Sequence, residues 1–469
     1  MGFVARLRQH GSRADREAVA ADGVSLSWPQ LMVRVEQEIA TLHATGIGPG
    51  ATVGISIADE LEHFVASLAL LGAGAWQIAL ATHDTEQERE AIAERAHVTH
   101  VLVGSQGEPG AGRATHLTWP LPPSAGQSSD VPEGGVFLRT SGTTGSMNIV
   151  PLTSTDLLIQ AARNPEYADG RLFRPASIEH NNSKRHRLYC AALGGTNVFR
   201  PAGTFDVAEY CVRQRVTTLD LALMQAADLA ATAHPGLEKI DLRVSGSAVP
   251  YEVRRRIEQN LTRRLHVRYG STESGTVSSA GPGEHDGEES VGHVVRGLEL
   301  EIVDSDGRPM APGETGHIRM RGQGIAPGYF EGREQTAKRF RDGWYWPGDL
   351  GALRADGSLL VLGRADDMIN LNGINIFPSE IERVLEQHPD VRVAAALPLS
   401  SAIHGQIPVA AVELRNGGLV TERELVAYAR EHLALRAPRR IIIMDALPRN
   451  SQGKILRREI SSRFSAARG

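Results

Sequence analysis

The sequence predicts an α/β protein: a large N-terminal domain of layered sheets with packed helices plus a β-rich subdomain, and a small α+β C-terminal domain. Helix-period segments and short apolar runs alternate from Ser25 onward. Beyond Gly270 the texture changes to short strands between Asp-Gly and Pro-Gly turns, and after Asp367 helices and strands alternate again. At 469 residues the chain is too long for one core, so at least two domains are expected.

From Ser25 to Ala81 the order is an amphipathic helix, the turn GIGPG (46–50), the apolar strand VGISIA (53–58) and a helix around Phe64 to Leu71. HVTHVLVG (97–104), GGVFLRTS (134–141) and VTTLDLAL (216–223) are strand-like, and Ser154 to Ala162 is helix-like. PPSAGQSSDVPEGG (122–135) reads as a loop, and no internal repeat is seen. VDSDGRPMAPGETGHIRMRG (303–322) alternates apolar and polar residues between turn signals, which is the β-rich texture. A boundary falls near GRADD (363–367), giving expected domains of 1–363 and 364–469. In the second, SEIERVLEQH (379–388) reads as a helix with Ser379 as N-cap and Glu382 closing a capping box. TERELVAYAREHL is a second helix, while VRVAAALPL, IPVAAVEL and RRIIIMDAL are strands.

Composition narrows the function classes. With 41% hydrophobic residues, 22% charged residues and a net charge of -5, the chain reads as an ordinary globular protein without the basic bias of a nucleic-acid binder. Cys190 and Cys211 are too few for a disulfide framework or a metal-binding Cys pair motif, so a reducing cytoplasm is expected and buried thiols are the simplest assignment. The N-terminus lacks the apolar stretch of a secretion signal, and no run approaches the roughly 18 apolar residues of a membrane span. No membrane partner is expected.

Several stretches carry chemistry. In TSGTTG, Gly142 and Gly145 allow successive NH groups to converge, and Thr140, Ser141, Thr143 and Thr144 add hydroxyl donors, so the loop suits an anion. It is not a Walker loop, because no lysine follows. In RYGSTESG (268–275), Tyr269 suits stacking on a base, Thr272 donation to a phosphate, and Glu273 oxygen ligation of Mg²⁺. In WYWPGDLG (344–351) a Pro-Gly turn delivers Asp349, a carboxylate able to take both hydroxyls of a ribose. GRADDMINLNGINIFPSEIE (363–382) and PRNSQGKILRREI (448–460) follow, the latter placing Lys454 after a glycine turn at the start of a basic helix. Each alone is an ordinary turn, cap or exposed terminus.

Together, in this order and spacing, they resemble the adenylate-forming superfamily: acyl-CoA and aryl-CoA synthetases, nonribosomal peptide adenylation domains and firefly-type luciferases. The resemblance runs from SLSWPQL (25–31) to the last helix. It implies an AMP-forming ligase that uses ATP and Mg²⁺, with CoA as co-substrate, to activate an acid through a bound adenylate. TSGTTG resembles the loop that holds the outer phosphates, with Thr144 a second candidate for Mg²⁺ beside Glu273. GSAVP (246–250), with Ser247 and Ala248, resembles the segment along adenine, and Tyr269 with Gly270 the base-stacking position. Thr272 would contact the α-phosphate, and Asp349 with Arg364 would hold the ribose. Lys454 resembles the lysine that bridges acyl carboxylate and α-phosphate. Asp366 matches the hinge about which the small, mobile C-terminal domain rotates between half-reactions, and Gly373 the wall of the acceptor tunnel. The acid pocket falls on His180 to Arg187, Ser245 to Val249 and Gly270 to Thr276, with His180, Lys184, Arg187, Ser245, Gly246, Gly270, Ser274 and Gly275 as candidates.

The chain departs from the family in two places. Asn148 stands where the usual phosphate loop has lysine, offering a hydrogen bond without charge, a difference of about 1 to 3 kcal/mol. HNNSKRHR (180–187) ends in four consecutive basic residues, which a solvated helix face would explain. If some point inward they would favour an acid with a second negative or strongly polar group, or a very small anion. The leading expectation is a carboxylic acid:CoA ligase for an aryl or medium-size acid, because NLNGINIFPSEIE resembles the CoA-synthetase version of that loop. The alternatives are an adenylate-forming ligase of specialised metabolism that uses a carrier-protein or amine acceptor, or activates nitrite for diazo formation on an aryl amine, and a non-catalytic nucleotide-binding relative. The expected assembly is a monomer or homodimer.

Overall fold

The computed structural model describes residues 2–12, 15–105, 114–121, 134–141, 147–246, 248–285, 289–372, 374–401, 405–415, 417–449 and 455–466. The chain forms two compact units, neither continuous in sequence. One comprises Met1–His285, Gly292–Glu299 and Met320–Tyr345; the other comprises Asp286–Val291, Leu300–Arg319 and Trp346–Gly469.

The first unit holds two sheets. In the larger, His293–Val294, Gly275–Ala280, Leu265–Ser271, Asp241–Ser245, Thr218–Leu221, Arg171–Phe173, Thr196–Val198, Glu17–Ala21 and Val24–Ser27 lie side by side. Its interior pairs are parallel, and antiparallel strands close both edges. In the second the order is Thr115–Trp119, His100–Gly104, Thr52–Ser56, Trp76–Ala79, Gly135–Ser141 and Met147–Thr153, parallel except for the last hairpin. Parallel strands need crossovers, and the helix-period segments supply them. Trp28–Ala44 begins with a capping box from Ser27 and Gln30, and Glu60–Gly72 is capped by Asp59. Phe64, Val65, Leu68 and Leu71 of the latter are buried in a core with Trp28, Leu42, Ile55, Leu188 and Tyr189.

Helix Asn181–Ala192 corrects an expectation. Ser183 through Ala192 are all buried, including Lys184, Arg185, His186 and Arg187, so the basic run is not a solvated face. A helix buried all round is normally apolar. Here distant acceptors meet Arg185 and Arg187, and of the run only Arg187 pairs with a carboxylate among the described residues.

In the second unit, Ile374–Ile376, Ile369–Leu371, Gly405–Leu414 and Val391–Ser401 pair antiparallel, and Arg440–Met444 joins Gly405–Leu414 in parallel. Helices Pro378–Glu386 and Glu422–Leu433 pack on a core that includes Ile381, Leu385, Val412, Leu425 and Ile441. The antiparallel pair Asp349–Leu353 and Leu359–Arg364 belongs to the β-rich part. The capping box expected from Ser379 and Glu382 does not form. The cap lies two positions earlier, at Phe377 with Pro378 starting the helix, while Ser379 donates to the Leu362 carbonyl at 2.6 Å and Glu382 accepts from the Ala396 amide at 2.9 Å. Proline suits the first helical turn because it has no N–H to leave unpaired.

Cys190 and Cys211 are free and buried, and burial pushes both thiols up to about 12. Among the described residues no helix is long and apolar enough to cross a membrane.

Candidate active site

Ligands of parallel sheets gather at the carboxyl ends of the strands. At that edge of the larger sheet, strands Leu265–Ser271 and Gly275–Ala280 form a hairpin whose tip carries Thr272 and Glu273. The tip is braced by its serines. The Ser271 amide donates to Ser274 Oγ and the Ser274 amide to Ser271 Oγ, each at 3.2 Å, while the two hydroxyls are 3.0 Å apart. Gly270 is obligatory, because a Cβ there would meet the Gly275 carbonyl oxygen at 2.1 Å. Glu273 is buried, and its Oε1 accepts from the Tyr329 hydroxyl at 2.8 Å. Tyr345, packed beneath, brings its hydroxyl to 3.3 Å from Ser271 Oγ, and burial pushes its pKa well above the usual phenol value. Tyr269 lies half-buried on the hairpin strand. On the neighbouring strand, Ser245 pairs with Arg268, Gly246 takes a φ of +93°, and Ala248 is exposed.

Helix Asn181–Ala192 reaches the same hairpin. Arg185 Nη1 donates to the carbonyls of Thr272 at 2.8 Å and Ser271 at 3.2 Å. Lys184 and Arg187 instead meet His63 and Glu60 of helix Glu60–Gly72. Arg187 Nη2 donates to Glu60 Oε2 at 3.2 Å and the Arg174 carbonyl at 3.0 Å, Nη1 donates to the Val198 carbonyl, and the guanidinium lies over Phe199. Lys184 is 2% exposed and has no ion pair or hydrogen bond to its ammonium among the described residues. Burial lowers its pKa to about 7. His63 is also buried. That burial, together with the field of Lys184, keeps His63 neutral, and its Nε2 is unbonded among the described residues.

His180 caps the other end of this helix by its backbone alone. Its ring is 5.1 Å from that of His83, and burial lowers its pKa, with His83 and Arg139 adding to the effect. Arg139 immediately precedes Thr140 in strand Gly135–Ser141 and donates to Asp84 Oδ2 at 2.7 Å, while Asn181 donates to the Arg139 carbonyl. Helix Asn181–Ala192 is thereby tied to the strand that leads into TSGTTG. Across that hairpin Thr140 pairs with Asn148, which is 9% exposed with its Oδ1 unbonded among the described residues.

In the second unit, Arg364 Nη1 donates to the Pro347 carbonyl at 2.6 Å and to Asp349 Oδ1 at 3.2 Å, and its Nη2 reaches Asp366 Oδ2 at 3.4 Å. The ribose candidates and the hinge candidate therefore share one guanidinium. Lys454 lies outside the described residues, as do Gly142, Thr143, Thr144, Gly145, Ser247 and Gly373; Ser141 is described only as backbone. On either side of residues 450–454, Arg449 bridges Ile455, the Leu456 amide donates to the Pro448 carbonyl at 2.8 Å, and Arg457 pairs with Glu382 at 2.5 Å.

Comparison with known proteins shows the family. The model of the AMP-binding enzyme family matches residues 7–330, and that of the AMP-binding enzyme C-terminal domain matches 380–454. The chain belongs to the AMP-binding enzyme family. It is an adenylate-forming, acid-thiol ligase type of enzyme that activates an acid at the expense of ATP. Among its relatives is a salicyl-AMP ligase/salicyl-S-ArCP synthetase of Mycobacterium tuberculosis, 30% identical over 97% of this chain and 89% of that one. Another is an oxalate–CoA ligase of Arabidopsis thaliana, 26% identical over 96% of each chain. Among solved structures, the amide bond synthetase McbA from Marinactinospora thermotolerans shares the fold with a TM-score of 0.86 at 23% identity, over 98% of this chain and 99% of that one.

Arg185 and Tyr329 of this AMP-binding enzyme act on the motif residues without belonging to a motif, and Tyr345 of WYWPGDLG acts on a second motif, at Ser271. The basic run marked the neighbourhood of Arg185. Tyr329 is separated from Glu273 by 56 positions and carries no sequence signal of that contact.

Proposed function

We propose that this enzyme is an AMP-forming acid:CoA ligase acting on an aryl or medium-size acid that bears a polar or anionic group. The observation behind it is the braced hairpin tip, which holds Thr272 and buried Glu273 at the carboxyl edge of the sheet, beside a cationic helix. In the first half-reaction the acid's carboxylate oxygen attacks the α-phosphorus, the bond to the bridging oxygen breaks, and pyrophosphate leaves. Thr272 would donate to the α-phosphate. Lys454 would neutralise the two approaching anions, an interaction stronger in the transition state than in either separated reactant. Asp349, held by Arg364, would take the ribose hydroxyls. Rotation of residues 364–469 about Asp366 would then exchange Lys454 for the Gly373 segment, and the CoA thiol would displace AMP.

The residues fit Mg²⁺ brought by the nucleotide. Among the described residues no three potential ligands converge, and a single hard carboxylate, Glu273, suits an ion bound mainly by phosphate and water oxygens. When bound there, the ion would offset phosphate charge.

The buried basic run favours a second reading, in which the acid is a very small anion such as nitrite and the acceptor is an amine. Pyrophosphate exchange with a panel of acids, nitrite included, tests both readings. Mass detection of products with CoA, carrier protein or amines identifies the acceptor. Exchange with no acid at saturating ATP would overturn both.

A further inference from the structure

Beneath the hairpin lies a buried polar cluster. Arg174 pairs with Asp220, Arg243 lies 3.2 Å from Glu166 and 3.6 Å from Asp220, and Arg268 is 2.7 Å from Glu166. Arg185, a fourth buried guanidinium, adjoins this cluster through the neighbouring His186. Burial keeps His186 neutral, reinforced by Arg174, Arg185 and Arg268, while Nδ1 meets the Tyr167 hydroxyl at 2.9 Å. Arg174, Arg243 and Arg268 thus share the carboxylates of Asp220 and Glu166, an excess of one positive charge among the described residues. Arg185 alone of the four has no carboxylate within ion-pair distance there.

Arg185 is 7% exposed. Its Nη1 is held by the Ser271 and Thr272 carbonyls, its Nε is sealed without a hydrogen bond, and its Nη2 makes none among the described residues. The side chain of Tyr189 lies 6.0 Å from the guanidinium and is fixed through its hydroxyl to Gln160. Two neutral carbonyls do not balance a buried cation, and an uncompensated buried charge is costly. A guanidinium donates to a carboxylate through its N–H groups, and with Nη1 taken and Nε closed off, Nη2 is the donor left unused.

We infer that Arg185 binds a second, non-reacting carboxylate of the substrate, which makes the acid a compact dicarboxylate. This rests on the ligase reading above. Because Arg185 hangs on the carbonyl of Thr272, the residue proposed to meet the α-phosphate, the carboxylate it takes lies only a few bonds from the one that reacts. A long or wholly apolar acid would leave Nη2 unbonded.

The test is pyrophosphate exchange at saturating ATP with short dicarboxylates, monocarboxylates of matched length, aryl monoacids and nitrite, for the native protein, Arg185→Met and Arg185→Lys. The native enzyme is expected to favour dicarboxylates in kcat/KM by at least about tenfold, the scale of a charge-assisted hydrogen bond. Arg185→Met should erase that preference, raising KM for dicarboxylates far more than for monoacids, and Arg185→Lys should restore part of it. Preference for monoacids or nitrite in the native enzyme would overturn the inference and leave the ligase reading standing. So would an equal loss for every acid in Arg185→Met, which is the mark of a residue that only braces the hairpin. Absence of exchange with all acids in the native enzyme would overturn the ligase reading, and this inference with it.

Discussion

Replacing Lys184 by methionine should stabilise the protein, and most strongly at low pH. Methionine keeps the approximate length of the side chain and fills irregular apolar space. In the fold the ammonium is buried against neutral His63, and burial lowers its pKa from 10.5 to about 7. At about 1.4 kcal/mol for each tenfold change in proton affinity, that gap bounds the penalty at roughly 5 kcal/mol. The folded pKa lies below the unfolded one, so between about pH 7 and pH 10.5 the unfolded chain holds the extra proton. Stability from this group therefore rises with pH across that window and is at its lowest below it. By linkage the penalty should shrink by about 2 kcal/mol between pH 7 and about pH 8.5. Urea unfolding followed by tryptophan fluorescence reports on the first unit through Trp28, Trp76 and Trp119. Lys184→Met should have the higher midpoint at pH 7, with the difference narrowing toward pH 8.5. Parallel pH profiles for the two proteins would refute the reasoning, as would a variant that is less stable at pH 7.

The buried pair Glu60–Arg187 makes the opposite prediction. Arg187→Met should cost about 3 to 5 kcal/mol in the same unfolding assay by leaving Glu60 without its main partner, and adding Glu60→Gln should recover a substantial part. No recovery in the double variant would show that the loss comes from the carbonyl bonds and the Phe199 stacking instead. Lys454→Ala should abolish pyrophosphate exchange while thioester formation from a supplied adenylate persists; equal loss of both steps would count against rotation of the C-terminal region. Asn148→Lys should tighten ATP binding by about 1 to 3 kcal/mol if the side chain reaches the outer phosphates. An unchanged KM for ATP would place position 148 away from them.

Much of this protein was legible along the chain. Strand and helix order follows from apolar periodicity, and the caps of Ser27, Thr85 and Thr421 follow from residues three positions apart. The glycine of the hairpin is local too, since its need arises from a strand five residues away. Such signals survive in sequence because the interacting groups are close along it. Ser379 shows the limit, where the cap pattern was present but Leu362 and Ala396 claimed its groups.

What tertiary structure alone decided is the fate of charge. Charged residues score as polar in any periodicity, so HNNSKRHR reads as a wet face. Its burial depends on Glu60, Tyr167, Val198 and the Ser271 and Thr272 carbonyls, brought from as far as 127 positions away. The same holds for Glu273, whose partner Tyr329 belongs to a separate segment of the first unit. The sequence by itself determined the family and the chemistry of adenylate formation, because these rest on local backbone turns and a few side chains of the right type. Which cations are balanced inside the fold, and which are left without a carboxylate, was decided only by packing, because burial and pairing are properties of neighbours the chain does not list in order.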